Sequence, residues 1–193
     1  MKPAFFRPPT AATLAFNAAL SLLTLGVLPG TCQAQSWGGT SNALALGLPA
    51  LAAYHVYQAH DREGAPQLAY TLASTLGATL ALKSQIHAMR PNQKGDDSMP
   101  SGHTAMAFAA ARFMHERYGS NVHPGLLYGA ASLTAWARVR AHQHHWRDVV
   151  AGAALGISLG SCFTEPLKES VTTSRLDIRP ETKGLHVTWQ QTW

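Results

Sequence analysis

The chain has 193 residues and a formal net charge of +5. This length suits one domain with a substantial hydrophobic core rather than two domains. The basic residues are scattered, with no basic run longer than two residues, so the composition does not favour a nucleic-acid-binding surface.

Residues 1–34 have the layout of a secretory signal peptide. A basic region precedes an apolar run, Ala11–Leu28, and the small residue Ala34 follows a Pro-Gly pair and a short polar stretch. This order predicts export, with cleavage between Ala34 and Gln35. The alternative is that the segment stays attached as a membrane anchor. Either way, we expect a protein of the cell envelope, in the periplasm or at the periplasmic face of the inner membrane.

Five apolar segments follow within residues 35–168, which we interpret as one helical domain. Each has 15 to 21 residues, is rich in Ala and Leu, and is separated from the next by a polar stretch, which predicts helices. The segments are Ala43–Gln58, Gln67–His87, Thr104–Tyr118, Leu126–Arg140 and Asp148–Phe163. The expected fold class is all-α, a compact helical bundle of about five to six helices.

These segments leave membrane insertion open. A bilayer-spanning helix needs about 20 mostly apolar residues. Only Gln67–His87 approaches that length, and it contains Lys83 and several Gln, Ser and Thr residues. The many small residues would suit close helix packing in lipid. We therefore expect an envelope bundle with membrane contact, either shallowly embedded or soluble.

The tail, residues 169–193, differs from the rest of the chain. The stretches "SRLDI" and "LHVTW" alternate apolar and polar residues around "RPETKG", a pattern typical of a β-hairpin. A disordered C terminus is the alternative interpretation.

Lys83 and Arg90 belong to the first of three stretches whose residues suit chemistry. In "LKSQIHAMRP" they lie seven residues apart, two helical turns, so on a continuous helix both would project from nearly one face. Pro91 would end that helix. Two cations on one face could bind an anion. The alternative is a patch that faces solvent or lipid headgroups.

The tetrapeptide "PSGH", residues 100–103, is the second stretch. Gly102 lets the backbone approach a ligand closely, and Ser101 can cap the following helix or donate to an oxygen. His103 would lie in the first turn, where free backbone N–H groups bind anions. The alternative is an ordinary capped helix start with an incidental histidine.

The third stretch is "WARVRAHQHHWRD". His144 and Asp148 lie four residues apart, and a carboxylate one turn away can fix the tautomer of an imidazole, which leaves its other nitrogen free. Arg138 would lie on the wrong face of a continuous helix, so a loop must intervene for it to join the site. The alternative is a metal site formed by His142, His144, His145 and Asp148. Their spacing matches no usual zinc motif.

Together these stretches resemble the three-part signature of the type 2 phosphatidic acid phosphatase and vanadium haloperoxidase family. The matching motifs are Lys83-x6-Arg90-Pro91, Pro100-Ser101-Gly102-His103 and Arg138-x5-His144-x3-Asp148. The resemblance runs from about Leu44 to Phe163. Because all three motifs occur in the family's order, the chance that they agree by coincidence is negligible. One departure is Ala137, where the family usually has Ser before the arginine; this removes a supporting hydroxyl but no catalytic group.

The resemblance implies a phosphatase in which His144 attacks phosphorus and forms a phosphohistidine while Asp148 orients its ring. His103 would protonate the departing alkoxide and then activate the hydrolytic water. The implied phosphate-binding residues are Lys83, Arg90, Ser101, Gly102 and Arg138. Their donors suit the charge that spreads over a transferring phosphoryl group, so neither a metal nor another cofactor is implied.

The predicted function is therefore hydrolysis of a phosphate monoester or pyrophosphate, with a lipid as the favoured substrate because the surrounding helices are apolar. A broad-specificity soluble periplasmic acid phosphatase is one alternative. A vanadate-dependent haloperoxidase is another, disfavoured by the short chain. A non-catalytic envelope scaffold is disfavoured by the intact His103, His144 and Asp148. The expected partner is a lipid or small phosphorylated molecule, not nucleic acid.

Overall fold

The computed structural model describes residues 34–167, 173–181 and 184–192. Five α-helices form the bundle within these ranges, which confirms the all-α class. They are α1 Ala34–Gln58, α2 Gly64–Gln85, α3 Gly102–Tyr118, α4 Pro124–Arg140 and α5 Trp146–Cys162. A 3₁₀ turn, Gly119–Asn121, lies between α3 and α4. The predicted signal peptide lies outside the described residues apart from Ala34, and its cleavage stays a prediction.

Helix α3 is the centre of the bundle and contacts each of the other four helices. It can do so because alanines occur all round its first three turns, so it is apolar on every side and its neighbours approach closely. Larger side chains fill the core towards its C-terminal end, where Phe113 and Met114 pack with Leu48 of α1 and Leu127 of α4.

Three glycines of α5 make its contact with α3 unusually close. Gly152, Gly156 and Gly160 recur every four residues and so share one face. A Cβ atom on Gly152 would lie 2.5 Å from the carbonyl oxygen of Ser101, and one on Gly156 would overlap the carbonyl oxygen of Ala105. The backbones of the two helices are therefore in direct contact. Any side chain larger than hydrogen at these glycine positions would prevent this contact.

A buried ion pair joins three parts of the chain. Arg117 of α3 donates to both carboxylate oxygens of Asp61 at 2.7 and 2.8 Å, and its Nη1 donates to the carbonyl of Glu165. Asp61 also accepts from the Gly64 N–H and the Tyr118 hydroxyl. The hydrogen bond from Arg117 holds the pKa of the Asp61 carboxyl below its usual value. The connection between α1 and α2 is thereby fixed to the end of α3.

The second helix ends earlier than its sequence predicts. We expected it to continue to Pro91, but α2 ends at Gln85 and Ile86 is extended. The segment that follows makes its own backbone bonds, including Arg90 N–H to Gly95 carbonyl at 2.9 Å and Ser98 N–H to Ala88 carbonyl at 2.9 Å. Arg90 therefore lies in a loop, so the expectation that it shares a helix face with Lys83 is wrong.

Two strands lie in the tail beyond the bundle. Thr173–Glu181 and Gly184–Thr192 pair antiparallel, with Thr173 opposite Thr192 and Glu181 opposite Gly184.

Large apolar side chains remain on the outer surface of the bundle. Leu46, Tyr57, Tyr70 and Leu80 are all more than half exposed. In the part of the chain that the structure describes, no helix combines the length and the apolar character needed to cross a membrane.

We expect Gly156→Ala to destabilise the fold by about 1–3 kcal/mol, the usual range for overpacking a tight contact. The added methyl group would overlap the Ala105 carbonyl. Gly129→Ala is the matched control, because nothing lies within 4 Å of the added methyl group and alanine favours the helix. Urea unfolding measures both variants. Equal midpoints would contradict the backbone contact between α3 and α5.

Candidate active site

The cationic residues of the predicted site converge around the two histidines. Arg138 Nη2 lies 3.5 Å from His144 Nε2. The positive charges of Arg138, Arg90 and Lys83 all act on both His103 and His144. The loop expected between Arg138 and His144 is present, since α4 ends at Arg140 and α5 begins at Trp146.

Both imidazoles are neutral at neutral pH. Burial and then the nearby cations, Arg138 first among them for each ring, lower the pKa of His103 to about 4 and that of His144 to about 3. A positive environment disfavours the protonated form of either ring. His144 therefore keeps an unprotonated nitrogen, as a nucleophile requires.

The hydrogen bonds of His144 identify that nitrogen. Its Nδ1 lies 2.8 Å from the carbonyl oxygen of Ser98, and a carbonyl can only accept, so Nδ1 carries the hydrogen and donates it. The lone pair is then on Nε2, which faces Arg138. The side chain is 2% exposed, so the ring cannot turn freely.

Asp148 does not hold His144 in the way its spacing predicts. We expected both residues on one helix face, but α5 begins at Trp146 with His145 as its N-cap, so His144 lies before the helix. The Asp148 carboxylate lies 3.9 Å from His144 Nδ1, beyond hydrogen-bond distance. It accepts instead from the His145 N–H at 2.8 Å and the Ser98 hydroxyl at 2.5 Å.

These bonds keep Asp148 ionised. Burial raises the pKa of its carboxyl, but the hydrogen bonds from Ser98 and His145 outweigh burial and hold the pKa below its usual value. The reciprocal pairing of His145 and Asp148 is a capping box, which explains why the helix begins at Trp146.

Arg138 is the most buried of the three cations. Its side chain carries two hydrogen bonds from Nη1 to α1, to Ser41 Oγ at 3.2 Å and to Asn42 Oδ1 at 3.1 Å. Among the described residues its buried Nε has no hydrogen-bond partner. An unsatisfied buried donor costs about 1–3 kcal/mol, so an anion that accepts from it would be bound favourably.

Lys83 and Arg90 are joined through an acidic residue, although they do not share a helix face. Arg90 donates to both carboxylate oxygens of Asp97, at 2.7 and 2.8 Å. Lys83 donates to the Asp97 backbone carbonyl and lies 3.7 Å from its carboxylate. Asp97 therefore holds both cations beside the histidines.

The "PSGH" turn is anchored to α5. The Ser101 N–H donates to the Asp148 carbonyl at 3.0 Å. Its buried hydroxyl lies 3.0 Å from Thr104 Oγ1 and caps no backbone N–H of the described residues, so of its two predicted roles, cap or donor to an oxygen, the cap is not formed. Gly102 begins α3, and a Cβ atom there would crowd the Thr79 methyl group at 3.2 Å. The phosphate-binding roles of Ser101 and Gly102 stay predictions.

Sequence reasoning missed four residues that hold the site together: Ser41, Asn42, Asp97 and Ser98. The first two lie almost 100 positions from Arg138, and no local pattern points to them. Asp97 and Ser98 directly precede "MPSGH", so their closeness to the motif was a usable signal. The role of Ser98 still depends on partners far along the chain, His144 and Asp148.

Residues 64–168 match the PAP2 superfamily. This stretch is more than half of the chain and contains all three motifs. This chain belongs to the PAP2 superfamily. The resemblance to the type 2 phosphatidic acid phosphatases is thereby confirmed.

Two known phosphatases are similar in sequence to this chain. The lipid A 1-phosphatase of Porphyromonas gingivalis is 40% identical over 86 residues, which are 44% of this chain and 19% of that protein. The lipid A 4′-phosphatase of Helicobacter pylori is 32% identical over 136 residues, 64% of this chain and 68% of that protein. The chain thus spans about a fifth of the first protein and two thirds of the second.

A solved structure shares the fold. The crystal structure of Aquifex aeolicus LpxE superposes with a TM-score of 0.51 at 22% identity, covering 84% of this chain and 98% of that chain.

We expect Arg138→Met to raise the pKa values of both His103 and His144, because it removes a charge that lowers them. Arg140→Met is the control, since Arg140 lies at the end of the same helix but over Trp136, 5.7 Å from its ring. Histidine side-chain NMR across a pH series measures both. Unchanged midpoints in Arg138→Met would place Arg138 away from the imidazoles.

Proposed function

We propose that this protein is a phosphatase of lipid-linked phosphate groups, with a phosphorylated sugar lipid of the lipid A type as the substrate class. The observation that carries the proposal is the group of three cations around two neutral imidazoles. The similarity to two lipid A phosphatases supports the substrate class. The predicted signal peptide supports a place in the cell envelope.

Binding of the phosphate group comes first. Arg138 offers its unpaired Nε, and Lys83 and Arg90 retain donors beyond those bound to Asp97. Three cations in a largely buried setting stabilise the negative charge that spreads over the phosphoryl oxygens during transfer. The arginine forks also orient the group by paired hydrogen bonds.

His144 then attacks through Nε2. The N–P bond forms as the bond from phosphorus to the leaving oxygen breaks, and the ring becomes a phosphohistidine that carries positive charge. The Ser98 carbonyl continues to accept from Nδ1–H, and the Asp148 carboxylate 3.9 Å away offsets the charge.

His103 supplies the proton that the leaving oxygen takes up. Its pKa of about 4 leaves it unprotonated in the empty site at neutral pH. A bound phosphate dianion offsets the three cations and so raises that pKa, which couples binding to proton uptake. After the alcohol leaves, neutral His103 accepts a proton from water, and the hydroxide formed breaks the N–P bond.

An amphipathic substrate suits the surface around His144. A cavity of about 420 Å³ there is lined by Trp136, Val139 and Trp146 as well as by His144 itself. Trp146 and Met89 are more than half exposed beside the site. These side chains offer apolar contact to acyl chains or to a sugar ring, which a small soluble ester lacks.

The central test compares a lipid A-type phosphate with p-nitrophenyl phosphate at equal enzyme concentration in detergent micelles. We expect faster turnover of the lipid, unaffected by a chelator, and loss of activity in His144→Ala. A preference for the soluble ester would overturn the lipid assignment. Activity that survives in His144→Ala would overturn the proposed site.

We expect Arg138→Lys to lower kcat/KM by about 10- to 100-fold, since an ammonium group loses the planar fork that binds phosphate in a paired geometry. The arginine also donates from Nη1 to Ser41 and Asn42, and a lysine that kept those bonds would have no second nitrogen to offer the phosphate. Ala137→Ser, which restores the hydroxyl usual in the family, is the neighbouring control and should change kcat/KM less. Equal, negligible effects would place Arg138 outside the phosphate site.

A further inference from the structure

Ser98 lies between His144 and Asp148 and bonds to both. It is fully buried in the loop before α3. Its backbone carbonyl accepts from His144 Nδ1 at 2.8 Å, while its hydroxyl donates to Asp148 Oδ2 at 2.5 Å. The hydroxyl oxygen also lies 3.4 Å from His144 Nδ1.

The direction of these bonds follows from their partners. An ionised carboxylate only accepts, so the single hydroxyl hydrogen of Ser98 points at Asp148. The hydroxyl oxygen, 3.4 Å from His144 Nδ1, is then a weak second acceptor for the Nδ1–H beside the closer Ser98 carbonyl. Carboxylate, hydroxyl and imidazole thus form one chain, and its dipoles are aligned to favour positive charge on the ring.

We propose that Ser98 is a positioning residue through which Asp148 acts on His144. It holds the ring in the tautomer that leaves Nε2 free, and it carries the influence of the carboxylate to the phosphohistidine. Ser98 does not touch the reacting atoms, so it is not a catalytic residue. The expected change in kcat rests on the proposed function. The contacts of Ser98 with His144 do not.

The variant Ser98→Ala removes the side-chain hydroxyl and keeps the backbone carbonyl, so it separates the contributions of the two groups to the orientation of His144. In Ser98→Ala the carbonyl bond to His144 and the N–H bond to Ala88 can both persist. Asp148 would lose one donor from Oδ2, and its Oδ1 has no hydrogen-bond partner among the described residues. The His145 N–H still holds the carboxylate, but its hydroxyl link to His144 is lost, and the ring is oriented by the Ser98 carbonyl alone.

The experiment measures the ring and the reaction separately. ¹⁵N NMR of the histidine side chains, on the full chain without ligand, gives the tautomer of His144. We expect the Nδ1–H tautomer in the wild type and also in Ser98→Ala, because the carbonyl still accepts from Nδ1, but with the Nδ1 resonance shifted in Ser98→Ala by the loss of the hydroxyl. Steady-state kinetics on the lipid phosphate should show kcat lowered by about 10- to 100-fold with KM unchanged, as for other residues that orient a reacting group through a bond.

Two further variants keep the result interpretable. Ser98→Cys is close in size and retains only a weak donor, so it should shift the Nδ1 resonance in the same direction if Ser98→Ala does not fold. Thr134→Val is the control for loss of a buried hydroxyl, because the hydroxyl of Thr134 donates to the Ala130 carbonyl within α4, away from the site. It should lower thermal stability without changing the Nδ1 resonance or kcat.

An unchanged His144 Nδ1 resonance together with wild-type kcat in Ser98→Ala would overturn the proposal. So would a loss of kcat that merely follows thermal stability, as in Thr134→Val. If the wild type hydrolyses no phosphate substrate, the proposed function fails, while the comparison of the Nδ1 resonances still decides whether the Ser98 hydroxyl acts on His144.

Discussion

Helices α3 and α5 touch through their backbones, and the arrangement of the site depends on that contact. Gly152 lies against the Ser101 carbonyl, and the Ser101 N–H donates to the Asp148 carbonyl. The "PSGH" turn and the first turn of α5 are therefore fixed to each other. Because His103 is the last residue of the "PSGH" turn and His144 lies just before α5, the same contact brings the two imidazoles to a common cationic site. Side chains at these glycine positions would separate them.

The site is electrostatically unfavourable without an anion. Lys83, Arg90 and Arg138 lie close enough to lower the pKa values of both histidines, and burial and then Arg90 lower the pKa of Arg138 itself to about 10. Asp97 offsets part of this charge from its half-exposed position. A phosphate group would offset more, so the binding energy arises from charges that the fold already holds together. Such preorganisation is what the proposed phosphoryl transfer requires.

Asp148 shows that a sequence motif can identify a residue of the site and still not predict which groups that residue contacts. The spacing of His144 and Asp148 suggested a direct bond on one helix face. The capping box at His145 starts the helix two residues after His144, so the carboxylate turns to Ser98 and to the helix end instead. The proposed orientation of the nucleophile thus depends on a serine outside the three motifs.

The sequence alone determined the helical class, the main apolar segments and the residue types of the site, because helix propensity and motif spacing are local properties. Tertiary structure decided where α2 ends, since the loop from Ile86 to Ser98 satisfies its own backbone groups around Arg90. It also decided the partners of Arg138 and His144, which come from Ser41, Asn42 and Ser98. Bonds between residues 46 to 97 positions apart leave no local pattern in a sequence, so only the packing of the helices could reveal them.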